Sequence, residues 1–351
     1  YVVIAIIVKI AGVKWINKLM PAVVIGPTVS IIGLSLAGNA ISDLLSGAFN
    51  ADASAFEMNT HVWIGLICGL VTLFTVILCS VYGKKMAKLI PFIIGIVAGY
   101  LVALIFTLIG NSTGNEALKI LDFSKFAQMQ WFAVPDFTFL QAADGLSGIT
   151  GEYIATIAVA YIPVAFVVFA EHIADHKNLS SIIETDLLHD PGLHRTLLGD
   201  GVGSMVGAFF GGCPNTTYGE SIGTVAISGN ASIRTILVTA VMAIVLSFIA
   251  PFSTFLATIP SCVMGGVCIA LYGFIAVSGL KMIQTVDLGD NRNLFVVSTI
   301  LIAGVGGLAL KFGEITLTEV ACALILGIVV NLLVNLKKDK KVEEQPKEED
   351  K

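Results

Sequence analysis

Long apolar runs alternate with short polar joints along most of this chain. A helix needs about 20 apolar residues to cross hydrocarbon. By that measure residues 20–40, 61–82, 91–111, 152–173, 235–258, 261–280, 294–310 and 316–336 are predicted transmembrane helices. The stretch LLGDGVGSMVGAFFGGCPNTTYGESIGTVAISG, residues 197–229, breaks the pattern. It is apolar enough for lipid, yet Gly, Pro and a polar cluster interrupt it. That pattern predicts a helix, an extended break with a short strand near 213–218, and a second short helix starting near Gly219. The opening run YVVIAIIVKI is too short to cross and carries no charged leader or small-residue cleavage site. The chain is therefore expected to start part-way through a helix.

Composition agrees with the pattern. Of 351 residues, 56% are hydrophobic and 13% charged, with mean hydropathy +0.90. A soluble domain carries about 25% charged residues, so a soluble globular fold is excluded and a polytopic all-α membrane protein is expected. The net charge of −5 adds little, because topology places the charges. With the loop around Lys14 inside and the spans alternating, only Lys119, Lys125 and Lys311 fall outside. Cytoplasmic loops carry such an excess of Lys and Arg, and the bias requires 197–229 to cross twice. It also puts the C-terminal KKDKKVEEQPKEEDK in the cytoplasm as a solvated tail. Residues 112–151 become a long external connection, whose Trp131 and Phe132 suit a membrane–water interface. The six cysteines lie mostly in apolar runs without a Cys-x2-Cys pair, which excludes a zinc or disulfide framework.

An internal echo adds a constraint. MPAVVIGPTVSIIGLSLAG (20–38) and IPSCVMGGVCIALYGFIAVSG (259–279) both run Pro, four residues, Gly, then a Gly-containing apolar helix, and two more spans follow each. The threading sends the first copy outward and the second inward. Inverted repeats of this kind build many secondary transporters.

Ionisable residues inside an apolar helix are functional candidates by default. In AEHIADH, residues 170–176, positions four apart share a face, so Glu171 lies over Asp175 and His172 over His176. An ordinary helix exit is the bland alternative, and it suits His172 best. A zinc site on His172 and His176 has the spacing but lacks the His-Glu-x-x-His pattern; no metal is expected. The second cluster is GGCPNTTYGESIG, residues 211–223. Pro214 restrains its predecessor to extended conformations, and Gly219 permits a sharp change into a helix. A break at membrane depth is tolerable only where it lines a cavity, and the helix after it points N–H groups there. Two carboxylates, Glu171 and Glu220, with a row of backbone donors suit a small, flat, neutral ligand edged with N–H and C=O. A buried carboxylate that gains and loses a proton also meets the requirement for coupling to a proton gradient.

AEHI, DLLHDPGLHRTLLGDGV and PNTTYGESIG closely resemble the uracil permease branch of the nucleobase–ascorbate (nucleobase:cation symporter) family, and the resemblance runs over essentially the whole chain. It implies a fourteen-helix, seven-plus-seven inverted repeat with core and gate domains, whose first three helices and most of the fourth precede this chain. On that plan 1–18 ends a core helix and 19–111 holds gate helices of the first repeat. Residues 112–151 form the extracellular loop, 152–259 the core helices of the second repeat with the substrate site, and 260–337 its gate helices. Residues 338–351 are the cytoplasmic tail. The resemblance implies that Glu171 and Glu220 bind uracil, that Gly219 supplies a backbone N–H beside Tyr218, and that Tyr272 is a gate tyrosine. Asp175 stands where the family has a proton-linked histidine, with His176 next door, so proton coupling falls to Glu171, Asp175 and His176. The expected protein is a proton-coupled uracil symporter, not an enzyme. It would sit in a bacterial plasma membrane, use no cofactor and no nucleic acid, and form a homodimer as the family suggests. Alternatives are a xanthine or other purine transporter of the same family, an anion transporter of the same architecture, and a membrane metalloenzyme.

Overall fold

A computed structural model describes residues 1–12, 14–50, 55–127, 129–134, 137–140, 149–213, 215–312 and 315–336. The expected tail, 338–351, lies outside them, as do Pro214 and part of the expected external loop. In chain order the main elements are α1 (Val2–Ala11), α2 (Lys14–Leu19), α3 (Ala22–Ser35), α4 (Ala37–Leu44), β1 (Phe49–Asn50), β2 (Ala55–Phe56), α5 (Thr60–Tyr82) and α6 (Pro91–Thr113). After the loop come α7 (Gly151–Ile183), α8 (Leu193–Phe209), α9 (Gly219–Ser228), α10 (Ile233–Ser247), α11 (Ala250–Ala257) and α12 (Ser261–Ile283). The chain continues through α13 (Asn291–Val305), β3 (Leu310–Phe312), β4 (Ile315–Leu317) and α14 (Glu319–Asn335). Among the described residues, five helical stretches are long and apolar enough to cross a membrane: Ala22–Leu44, Thr60–Tyr82, Pro91–Thr113, Gly151–Ile183 and Ser261–Ile283. The fold is thus mostly helical, as expected of a polytopic membrane protein.

Several boundaries correct the expectation. The span 152–173 is the start of a longer helix, because α7 continues to Ile183. Nothing in EHIADHKNLSSII forbids helix, so the ionisable cluster lies within the helix and not at its exit. The span 235–258 is two helices. Pro251, second residue of α11, lacks an N–H and disfavours helical geometry before it. The span 294–310 stops at Val305, where Gly306 and Gly307 follow and Gly307 adopts φ +70°, a conformation that ends helices. Residues beyond it form the antiparallel hairpin β3–β4, which pairs Leu310 with Leu317. A second small hairpin pairs Phe49 with Phe56. The strand expected near 213–218 is absent: the described residues there, 213 and 215–218, belong to neither helix nor sheet. A strand requires a hydrogen-bonded neighbour, and none pairs with this segment among the described residues.

The chain divides into two compact units. One comprises residues 1–35, 137–218 and 275–351. Its core gathers Ile4 and Val8 of α1, Val24, Ile25 and Ile31 of α3, Phe169 and Ile173 of α7, Leu197 of α8, Ile300 of α13 and Leu324 of α14. In this unit α3 and the second half of α12 pack at backbone distance. A Cβ at Gly26 would lie 3.0–3.2 Å from Ile283 and Gly279, and one at Gly279 would run into Ser30 N and Gly26 O. Ser30 Oγ donates to the Ala276 carbonyl at 3.1 Å. Contacts rising along α3 fall along α12, so the two helices that carry the internal echo run antiparallel here.

The other unit comprises residues 36–136 and 219–274. Ile64 and Cys68 of α5, Ala103 of α6, Leu121, and Cys262 and Val263 of α12 form its core. The connection after α6 is pinned, not free: Thr107 Oγ1 accepts N–H groups from Ile120 and Leu121, Lys125 Nζ donates to the Ala257 carbonyl, and Phe132 bridges to Ile249.

Candidate functional site

In the first unit, polar groups from four places meet around His172. The ring is 1% exposed, set on α7 one position after the half-buried Glu171. Its Nδ1 lies 2.7 Å from Thr217 Oγ1 and 3.1 Å from Asp200 Oδ2, and its Nε2 lies 3.1 Å from Thr196 Oγ1. Thr217 Oγ1 donates to Asp200 Oδ2 at 3.2 Å, and Thr196 Oγ1 to the Leu193 carbonyl at 3.1 Å. Asp200 and Thr196 face the cluster from α8, while Thr217 comes from the irregular segment.

That segment is held at successive positions. Ser204 Oγ on α8 donates to Asn215, reaching Oδ1 at 2.8 Å. The Tyr1 hydroxyl bonds Thr216 Oγ1 at 3.3 Å, and Thr217 is fixed by His172 and Asp200. Such ties replace the hydrogen bonds that helix or sheet would have supplied. Tyr1 can approach because α8 carries Gly201 against it: a Cβ there would lie 2.8 Å from Tyr1 Cβ. The Tyr1 ring lies 5.7 Å from the His172 ring, and Asp200, Glu171 and Asp175 are all within electrostatic reach of the Tyr1 hydroxyl.

Asp175, one turn beyond Glu171, is 9% exposed. His176 stacks on His172 with ring centroids 4.0 Å apart, and its Nδ1 donates to the His172 carbonyl at 2.8 Å. The unit therefore gathers Glu171, Asp175 and His176 with Asp200 in one partly dry, acid-rich place. Tyr218, at the end of the irregular segment, is 60% exposed. In the other unit Gly219 opens α9 with Glu220 second in the helix, and Tyr272 is half-buried on α12. Among the described residues no group of His, Cys, Asp and Glu is arranged to hold a metal ion.

Residues 1–312 match the sequence pattern of a permease family. The chain belongs to that family. It is 40% identical over 337 residues to the uracil permease of Bacillus caldolyticus, covering 95% of this chain and 72% of that one. It is 36% identical over 347 residues to the uracil permease of Bacillus subtilis, covering 98% and 75%. Against the uracil permease of Escherichia coli K12 it is 35% identical over 338 residues, covering 96% and 72%. This permease is accordingly a multi-pass membrane protein and a transporter by family.

Reading the sequence alone did not bring His172 together with Asp200, Thr196 and Thr217 in one hydrogen-bonded cluster. The available signal was the charge of Asp200 within the apolar, glycine-rich run that follows DPGLHR.

Proposed function

We propose that this permease imports uracil across a bacterial plasma membrane together with protons, with its C-terminus in the cytoplasm. The observation that carries the reading is the pair of uracil permeases at 40% and 36% identity, each matched over 95% or more of this chain. The chemistry supports it. Glu171 and Glu220 are assigned the ring N–H groups of uracil, since carboxylates accept such bonds strongly. The Gly219 N–H, at the start of α9, is assigned a uracil carbonyl, with Tyr218 beside it. Glu171, Asp175 and His176 take up and release the coupled proton. Tyr272 serves as a gate residue. Transport proceeds by movement of a core domain against a gate domain, carrying the site from one face to the other.

Uptake of labelled uracil by the full chain in lipid vesicles tests the reading. Glu220→Gln is expected to abolish uptake, and unlabelled xanthine is expected to compete poorly. Undiminished uptake by Glu220→Gln would remove that residue from the mechanism, and competition by xanthine equal to that by uracil would make the permease a general nucleobase carrier.

A further inference from the structure

Between Glu57 and Glu116 the chain carries no carboxylate, and its only Lys or Arg residues there are Lys84, Lys85 and Lys88. All three fall in the joint between α5 and α6. Each of these helices has 23 residues, about 34 Å at the rise of an α-helix, and Glu57 and Glu116 lie beyond the far ends. Both acids are engaged there, Glu57 with Asn50 and Glu116 with Lys119. Among the described residues none of the three lysines is in an ion pair, and all three are exposed. Around them the hairpin shows apolar side chains, with Phe74, Leu78 and Val81 of α5 and Val97, Leu101 and Ile105 of α6 exposed. The joint itself is ordered. Gly83 N–H donates to the Cys79 carbonyl at 3.0 Å, and a Cβ at Gly83 would run into that carbonyl, so the glycine is needed to close α5. The left-handed position, φ +50°, falls to Lys85, a conformation that bulky side chains rarely adopt. The Lys84 and Lys85 carbonyls then accept the N–H groups of Ala87 and Leu89, each at 3.2 Å, and form the helical turn Met86–Leu89.

We propose that this turn is a binding site for anionic phospholipid headgroups, and that a headgroup held there steadies α9. The apolar faces of α5 and α6 place the turn at the headgroup layer, where lipid phosphates supply the negative charge that the hairpin lacks. Tyr82 and Met86, both exposed beside the lysines, suit the boundary between headgroup and acyl chain, where amphipathic rings settle. A lysine close to an anionic surface contributes about fivefold in attraction, so three together favour an anionic over a zwitterionic headgroup by up to roughly a hundredfold. The link to α9 is direct. Cα atoms of Met86–Leu89 come within 8 Å of that helix, whose first residues are Gly219 and Glu220. The consequence for uracil rests on the function proposed above; the lipid site rests only on the hairpin lying in a membrane.

The test places the full chain in phosphatidylcholine vesicles doped with either photoreactive phosphatidylglycerol or photoreactive phosphatidylcholine, and maps the labelled peptides by mass spectrometry. Labelling of 81–89 by phosphatidylglycerol is expected to exceed that by phosphatidylcholine about tenfold or more. The excess is expected to vanish when Lys84→Gln, Lys85→Gln and Lys88→Gln are combined, and to persist with Arg at all three positions. If the triple Gln variant does not fold, Lys84→Gln with Lys88→Gln leaves the left-handed residue alone and is expected to lose most of the excess. Equal labelling by the two lipids, or labelling that ignores the loss of charge, would overturn the site. Labelling that appears only after residues 338–351 are removed would give the turn to the acidic stretch EEQPKEED and overturn it too. Uracil uptake reads the link to α9. It is expected to run about threefold or more faster with phosphatidylglycerol than in phosphatidylcholine alone, and the Gln variant is expected to lose that difference. The same lipid response in wild type and variant would refute the link. Selective labelling in vesicles that take up no uracil would leave the lipid site standing and refute the uracil reading.

Discussion

The Thr107 hydroxyl, 2% exposed, donates to the Ala103 carbonyl at 2.8 Å and accepts the backbone N–H groups of Ile120 at 3.1 Å and Leu121 at 3.0 Å. One oxygen thereby pins the loop after α6. Thr107→Val keeps the shape and strands two donors, which is expected to cost about 1–3 kcal/mol, measured as a lower thermal unfolding midpoint in detergent. At the exposed turn after α7, hydrogen bonding to His189 Nδ1 at 2.7 Å, reinforced by the Leu188 N–H, holds the Asp186 carboxyl below the usual carboxylate range. A lowered value means stability that is present above the usual range and lost as pH falls through the folded one. Hydrogen exchange over 186–192 is therefore expected to quicken on acidification, and Asp186→Asn to remove that dependence. Single residues were also where sequence reading reached least far. Spacing of four placed Glu171 with Asp175 and His172 with His176 on one helix, as α7 does. Asp200, 28 positions from His172, has no periodic relation to it, and only the close approach of α7 and α8 creates the pair.

At the scale of elements, the long apolar runs were legible because lipid selects them: α5, α6 and α12 begin and end within three residues of their predicted spans. The break before α9 was legible too, since Pro214 and Gly219 bracket it. The hairpins were not, because strands of two or three residues have no period to detect, and the Gly306–Gly307 stop was present but overridden by the apolar run around it. Where two helices touch at glycine, the sequence shows small residues without showing which meet. Gly26 and Gly279 are such a pair. Gly279→Val would push a branched side chain into the α3 backbone, and overpacking of this kind is expected to destabilise by about 1–3 kcal/mol. A thermal midpoint unchanged from wild type would contradict the packing described for α3 and α12.

For the whole molecule, the polytopic class followed from composition alone, whereas the close antiparallel packing of α3 against the end of α12 had no signal beyond their small residues. The proposed proton coupling is a property of the molecule at work, and two expectations belong there. Asp175→Asn is expected to keep uracil binding while uptake loses its dependence on an imposed pH gradient; loss of binding with the gradient dependence intact would assign Asp175 to the substrate instead. The most direct check loads vesicles bearing the full chain with a pH-reporting dye and adds uracil outside, without any pH gradient. The lumen is expected to acidify as uracil enters and to stay unchanged with buffer alone. Uracil accumulating while the dye signal stays flat would refute proton coupling, and no accumulation would refute uracil as the cargo.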